Sequence, residues 1–130
     1  MSILIVESSK TVREKLIRFL ELEKLFNDVY EAGTVAEAKM IMKQLRLDIV
    51  LFDIQLEGNS GLELISFSRK LPHKPVLILC TNYNYPQYRS IYEYMSVYYL
   101  FDKTSEMGQL KIFIKKLVGE AKIILDTDSN

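Results

Sequence analysis

The sequence holds a single cysteine, Cys80, so no internal disulfide can brace it. That cysteine ends the apolar run Pro75-Val-Leu-Ile-Leu-Cys80, where a buried and inert thiol is expected rather than a nucleophile. There is one histidine, His73, and no histidine–serine pair suited to acyl transfer. No apolar run is long enough to span a membrane, and Ile3–Val6 stops at Glu7, too short for the core of a signal peptide. Net charge is absent too. Seventeen basic residues balance seventeen acidic ones, which removes any general attraction to nucleic acid or to an anionic bilayer. Repeats, low-complexity segments and Gly/Ser linkers are also missing. A soluble cytoplasmic protein of one ordinary domain is the expectation.

What is present is a rhythm of short apolar runs and amphipathic stretches. Hydrophobic residues make up 48% of the 130, enough for a full core. Ile3–Val6 reads as a strand buried on both faces. Residues 9–25 place Val12, Leu16, Phe19 and Leu20 on one helical stripe; Ser8 or Ser9 could cap it, and Thr11 with Glu14 has capping-box spacing. A strand at Val29–Ala32 ends at Gly33, and Thr34 with Glu37 opens a helix to about Leu45. Asp48–Phe52 is a third strand with Asp53 at its end, 54–60 a loop, and Gly61–Lys70 a helix with Leu62, Leu64 and Ile65 inward. Pro75–Cys80 is a fourth strand followed by Thr81, Pro86–Met95 a helix, and Tyr98–Phe101 a fifth strand leading to Asp102-Lys103. The last helix is expected from Glu106 to Ile124, with Leu110, Phe113, Ile114, Leu117, Ala121 and Ile124 inward and Lys111, Lys115, Lys116 and Lys122 on its wet face. A domain over 1–125 and a polar tail over 126–130 follow from this.

Strands alternating with helices imply one parallel sheet covered on both faces. Ligand sites in such sheets lie beyond the C-terminal strand ends. That rule selects Glu7 and Ser8 after the first strand, Asp53 after the third, Thr81 after the fourth and Lys103 after the fifth. Singly, each is ordinary: a turn or cap acid, a turn hydroxyl, a solvated lysine. Together, two carboxylates and nearby carbonyls suit a hard cation such as Mg²⁺. A cation with a lysine can neutralise a transferring phosphoryl group, and a free carboxylate can accept it as an aspartyl phosphate.

At these residues the chain resembles the response-regulator receiver family of two-component signalling, chemotaxis regulators included. The segments are Ile3-Leu-Ile-Val-Glu-Ser-Ser, Asp53-Ile-Gln-Leu-Glu-Gly-Asn-Ser-Gly-Leu-Glu-Leu, Leu79-Cys-Thr81 and Tyr99-Leu-Phe-Asp-Lys103. The resemblance implies a flavodoxin-like, doubly wound α/β fold with five parallel strands in the order 2-1-3-4-5. It implies that Asp53 takes a phosphoryl group from a sensor histidine kinase or phosphotransfer protein. Lys103 then pairs with the phosphate and Thr81 bonds one of its oxygens. Mg²⁺ is held by Asp53, the acidic pair after the first strand and the backbone carbonyl of Gln55. Such a domain is a signalling switch, not a conventional enzyme, acting on itself at most.

The chain departs from that pattern. The acidic pair reads Glu7-Ser8, and a neutral serine stands where the second acid usually ligates the metal, so a weakened Mg²⁺ site is expected. Thr104 replaces a common proline, Asn82 follows Thr81 where a small residue is usual, and Leu100 occupies the usual aromatic switch position beside Tyr99. Seven of the eight tyrosines fall between Tyr83 and Tyr99, which suggests either local packing or a protein-binding or self-dimer surface within 86–124, not a nucleic-acid platform. The alternative function is a pseudo-receiver that binds partners without phosphorylation. A flavin-binding redox protein shares the topology, but Glu7 puts a negative charge where its phosphate loop belongs. No DNA-binding or output segment follows within these residues, which suits a stand-alone domain or a piece of a longer protein.

Overall fold

Ile3, Leu4, Ile5 and Val6 are all buried, because strand β1 (Ser2–Val6) runs near the centre of a sheet covered on both faces. The structure is a computed structural model that describes residues 1–53, 55–56, 59–81, 99–103 and 105–128. Helix α1 (Lys10–Leu22) follows β1, then β2 (Asp28–Ala32), α2 (Val35–Gln44) and β3 (Ile49–Phe52). A short antiparallel hairpin, β4 (Gln55–Leu56) with β5 (Asn59–Ser60), leads into α3 (Leu62–Arg69). Strand β6 (Val76–Thr81), strand β7 (Tyr99–Asp102) and helix α4 (Met107–Asp128) complete the described elements.

The five-stranded sheet is wholly parallel, in the order β2-β1-β3-β6-β7. With the hairpin set apart, this is the expected 2-1-3-4-5 order. Alternate strand residues divide between two cores, as the two-residue period of a strand requires. Leu4, Val6, Val50, Phe52 and Leu79 pack under α2 and α3, against Ala38, Met42, Leu64 and Ile65. Ile3, Ile5, Ile49, Leu51, Ile78 and Cys80 pack under α1 and α4, against Leu16, Leu20, Leu110, Ile114 and Val118.

Local signals place most helix starts. Ser9, not the Thr11/Glu14 box, caps α1, its hydroxyl accepting from the Val12 N–H at 3.4 Å. Thr34 caps α2, accepting from the Glu37 N–H at 3.2 Å. The end of α1 carries no glycine. Lys24 takes a positive φ of 51° there, its N–H donating to Glu21 O at 3.2 Å while Leu25 N–H donates to Leu20 O at 3.4 Å. This is a Schellman closure with lysine where glycine is usual.

Three expectations need correction. Residues 54–60 contain the β4–β5 hairpin rather than only a loop; two-residue strands are too short to show an alternating pattern. Helix α4 continues to Asp128, past the expected stop at Ile124 and into the stretch expected as a tail, because no glycine or proline follows Gly119 to end it. Val118 is buried on α4 beside Leu110 and Ile114, a position the expected stripe left out. The expected helix at 86–95 and the tyrosines from Tyr83 to Tyr98 lie outside the described residues.

Candidate functional site

The sheet register brings the strand ends level. Val6 pairs with Ala32 and Phe52, and Phe52 with Leu79, so the residues that follow emerge at one edge. Glu7 is the first residue past β1, its N–H donating to Ala32 O at 3.0 Å. Asp53 is the first past β3, its N–H donating to Val6 O at 3.2 Å. Lys103 is the first past β7, its N–H donating to Thr81 O at 3.0 Å. Each functional side chain is thus fixed by the main-chain ladder itself.

There the ammonium of Lys103 bridges two acids. It lies 2.6 Å from Oε2 of Glu7 and in direct hydrogen-bonded contact with Oδ2 of Asp53. Glu7 is 3% exposed, Asp53 6% and Thr81 1%. Among the described residues, the ion pairs of this cluster join two carboxylates to one ammonium. Burial alone would lower the Lys103 pKa, but the hydrogen bonds to Asp53 and Glu7, with their negative charge, outweigh it and raise the value above that of an ordinary lysine. Lys103 therefore stays charged through the physiological range.

Cys80, one strand position before Thr81, is buried, and desolvation pushes its thiol up to about 12; the positive charge of Lys103 opposes this and the carboxylates of Asp53 and Glu7 add to it. A thiol so held is protonated at neutral pH and does not act as a nucleophile. An open cleft of about 510 Å³ runs from Glu7 and Lys103 along α1 and the start of α4, with Lys15 and Lys111 also in its lining. Lys15 and Lys111 add positive charge along the cleft, which suits an approaching anion.

The sequence profile of the response regulator receiver domain matches residues 3–115. The chain belongs to the response regulator receiver domain family. The sensory transduction protein LytT of Bacillus cereus is 31% identical over 84 residues, which cover 65% of this chain and 34% of that protein. The chain matches about a third of the length of such curated relatives. The CheY-like receiver domain from Methanospirillum hungatei superposes with a TM-score of 0.80 at 24% identity, over 93% of this chain and 95% of that one. The receiver domain of the yeast response regulator Ssk1, solved with the histidine phosphotransfer protein Ypd1, gives 0.75 at 21% identity, over 88% and 86%.

The receiver brings four of the expected site residues together: Glu7, Asp53 and Lys103 through ion pairs, and Thr81 through the main chain. Ser8 is exposed, so the acid that reaches the cluster is Glu7. Gln55 lies in β4, its main chain paired with Ser60. Among the described residues no group of three or more His, Cys, Asp or Glu side chains gathers to hold a metal. Two carboxylates with a main-chain carbonyl are nonetheless an all-oxygen donor set that fits Mg²⁺, which keeps several of its waters and takes one or two carboxylates. Among the described residues, no helix is long and apolar enough to cross a membrane. Tyr99 packs on Phe113 of α4, ring centroids 4.6 Å apart, and Phe101 sits 5.5 Å from the same ring. Asn82 and Thr104 lie outside the described residues.

Arg13, on α1, is a further residue at the site. Its Nη1 donates to the Glu7 carbonyl at 2.6 Å and its Nε to Glu31 Oε1 at 3.1 Å. The signal available in sequence was only an arginine one helical turn into α1 and a glycine at the end of β2, neither distinctive alone.

Proposed function

We propose that Asp53 accepts a phosphoryl group from the phosphohistidine of a sensor kinase or phosphotransfer protein, and that this cytoplasmic receiver then presents an altered partner surface over residues 86–124. The observation that carries the reading is the Lys103 ammonium held by both Glu7 and Asp53 at the C-terminal edge of the sheet. An oxygen of Asp53 forms the new P–O bond as the P–N bond to the donor imidazole breaks; the electron pair stays on the nitrogen, which takes up a proton. Lys103 moves from the carboxylate to a phosphoryl oxygen, so its charge stays paired throughout. The Thr81 hydroxyl bonds another phosphoryl oxygen, and that movement biases the partner surface. Glu7, Asp53 and the Gln55 carbonyl would hold Mg²⁺, which screens the charge of the phosphoryl oxygens when bound.

The test is intact mass spectrometry after incubation with acetyl phosphate and Mg²⁺. One added phosphoryl group on the wild type, absent from Asp53→Asn, is the expected result. A wild type that takes up none is instead the partner-binding module that works without phosphorylation, the reading Ser8 favours.

A further inference from the structure

Glu7 is held at every polar atom it has. Its N–H donates to Ala32 O at 3.0 Å, its Oε1 accepts from the Ser9 N–H at 3.2 Å, and its Oε2 meets Lys103. Its carbonyl is the exception to local pairing. The chain leaves the sheet at Glu7, and among the described residues no main-chain N–H donates to that oxygen; a carbonyl beside a buried ion cluster is costly to leave unpaired. Arg13 closes the gap from the first turns of α1.

The guanidinium does two things at once. Nη1 donates to the Glu7 carbonyl at 2.6 Å while Nε donates to Glu31 on β2 at 3.1 Å. Charge-assisted bonds of this kind are short and strong, and only the planar fork of arginine reaches both acceptors in fixed geometry. The Arg13 side chain is only 15% exposed, whereas Glu31 is 55% exposed, so the inner bond is the protected one. Gly33 leaves the space for it: a Cβ there would stand 3.3 Å from Arg13 Nη1.

We propose that Arg13 is a positioning residue that fixes the β1–α1 turn so that Glu7, lacking an acidic neighbour at Ser8, presents its carboxylate to the site. Arg13 does not touch the reacting atoms; it acts through the Glu7 peptide. With one acid where a pair is usual, the orientation of that acid has no substitute, which is why the clamp matters in this chain. The functional part of this inference rests on the phosphoacceptor reading above.

The test compares wild type, Arg13→Met, Arg13→Lys and Gly33→Ala by NMR. The Ser9 amide, bonded to Glu7 Oε1, reports the carboxylate orientation without any phosphorylation. Arg13→Met is expected to shift the Ser9 amide and speed its exchange, with the amides of the last turns of α1 unchanged, and to weaken Mg²⁺ about tenfold, the lower end of what loss of an outer partner does at metal sites. Arg13→Lys, able to reach one acceptor, and Gly33→Ala, which crowds Nη1, should give smaller shifts in the same direction, and they carry the test if Arg13→Met does not fold. An unchanged Ser9 amide and unchanged Mg²⁺ affinity in the variants that fold would overturn the proposal. A wild type that binds no Mg²⁺ and takes up no phosphoryl group would overturn the phosphoacceptor reading instead, while the Ser9 amide would still decide the role of Arg13.

Discussion

The Lys103 ammonium sits 2.6 Å from Oε2 of Glu7, so the lysine after the last strand of the sheet and the acid after the first are joined across its C-terminal edge. Asp53 shares the same ammonium. Among the described residues the ion pairs join two carboxylates to one ammonium, and stability should respond asymmetrically to their neutralisation.

Lys103→Met strands two carboxylates in a buried site. It is expected to destabilise the fold by about 3–5 kcal/mol, the range for removing one partner of a buried ion pair. Asp53→Asn removes one of the two carboxylates and should be close to neutral or slightly stabilising. Urea unfolding of the three proteins measures both; equal losses would show that the charges are solvated and independent.

Alkaline pH should weaken the fold in two stages. The Cys80 thiol is held protonated to about 12 against an ordinary value of 9.0, so the unfolded chain releases its proton first and stability falls as pH rises from 9. Lys103, raised above 10.5, contributes stability that is complete below that value and is lost as pH climbs through its higher folded value. Cys80→Ala should flatten the first stage and leave the second. Thermal melts between pH 8 and about 11 check this; an unchanged slope in the variant would remove Cys80 as its source.

How far the sequence discloses this molecule depends on the range of the signal. Ile3–Val6 and Ile49–Phe52 announce buried strands because all their side chains are apolar, and Thr34 with Glu37 announces a helix because a cap needs only four adjacent residues. The site was legible because strand ends in a parallel sheet must converge, which brings Glu7, Asp53, Thr81 and Lys103 together without any knowledge of contacts. The clamp of Arg13 was not, since it joins α1 to a main-chain carbonyl and to β2, and main-chain acceptors leave no trace in side-chain identity. Val118 was missed because the stripe was drawn through Phe113 and Leu117, whereas the fully buried line of α4 runs Leu110, Ile114, Val118.

Lys24 holds a left-handed conformation that costs a residue with a Cβ roughly 1–2 kcal/mol. Lys24→Gly should recover about 1 kcal/mol once the greater freedom of glycine in the unfolded chain is set against it. Chemical denaturation measures the gain. A loss of stability would mean that the lysine side chain contributes there more than its backbone costs.

Ser8 is exposed beside a buried Glu7. Ser8→Asp supplies a second acid at the turn and should tighten Mg²⁺ about tenfold, comparable to the effect of support groups around metal sites. An NMR titration with MgCl₂ gives the constants. Equal affinity in the two proteins would show that position 8 does not face the ion.

The central claim is that the acceptor is the carboxylate of Asp53, and the most direct measurement is the chemical mapping of the bond. After acetyl phosphate treatment, borohydride reduces an acyl phosphate to an alcohol, turning a phosphorylated aspartate into homoserine, which peptide mass spectrometry locates. Homoserine at position 53 and nowhere else is the predicted result. Homoserine at another aspartate, hydroxynorvaline at a glutamate, or a phosphate that resists borohydride on a hydroxyl side chain would contradict it.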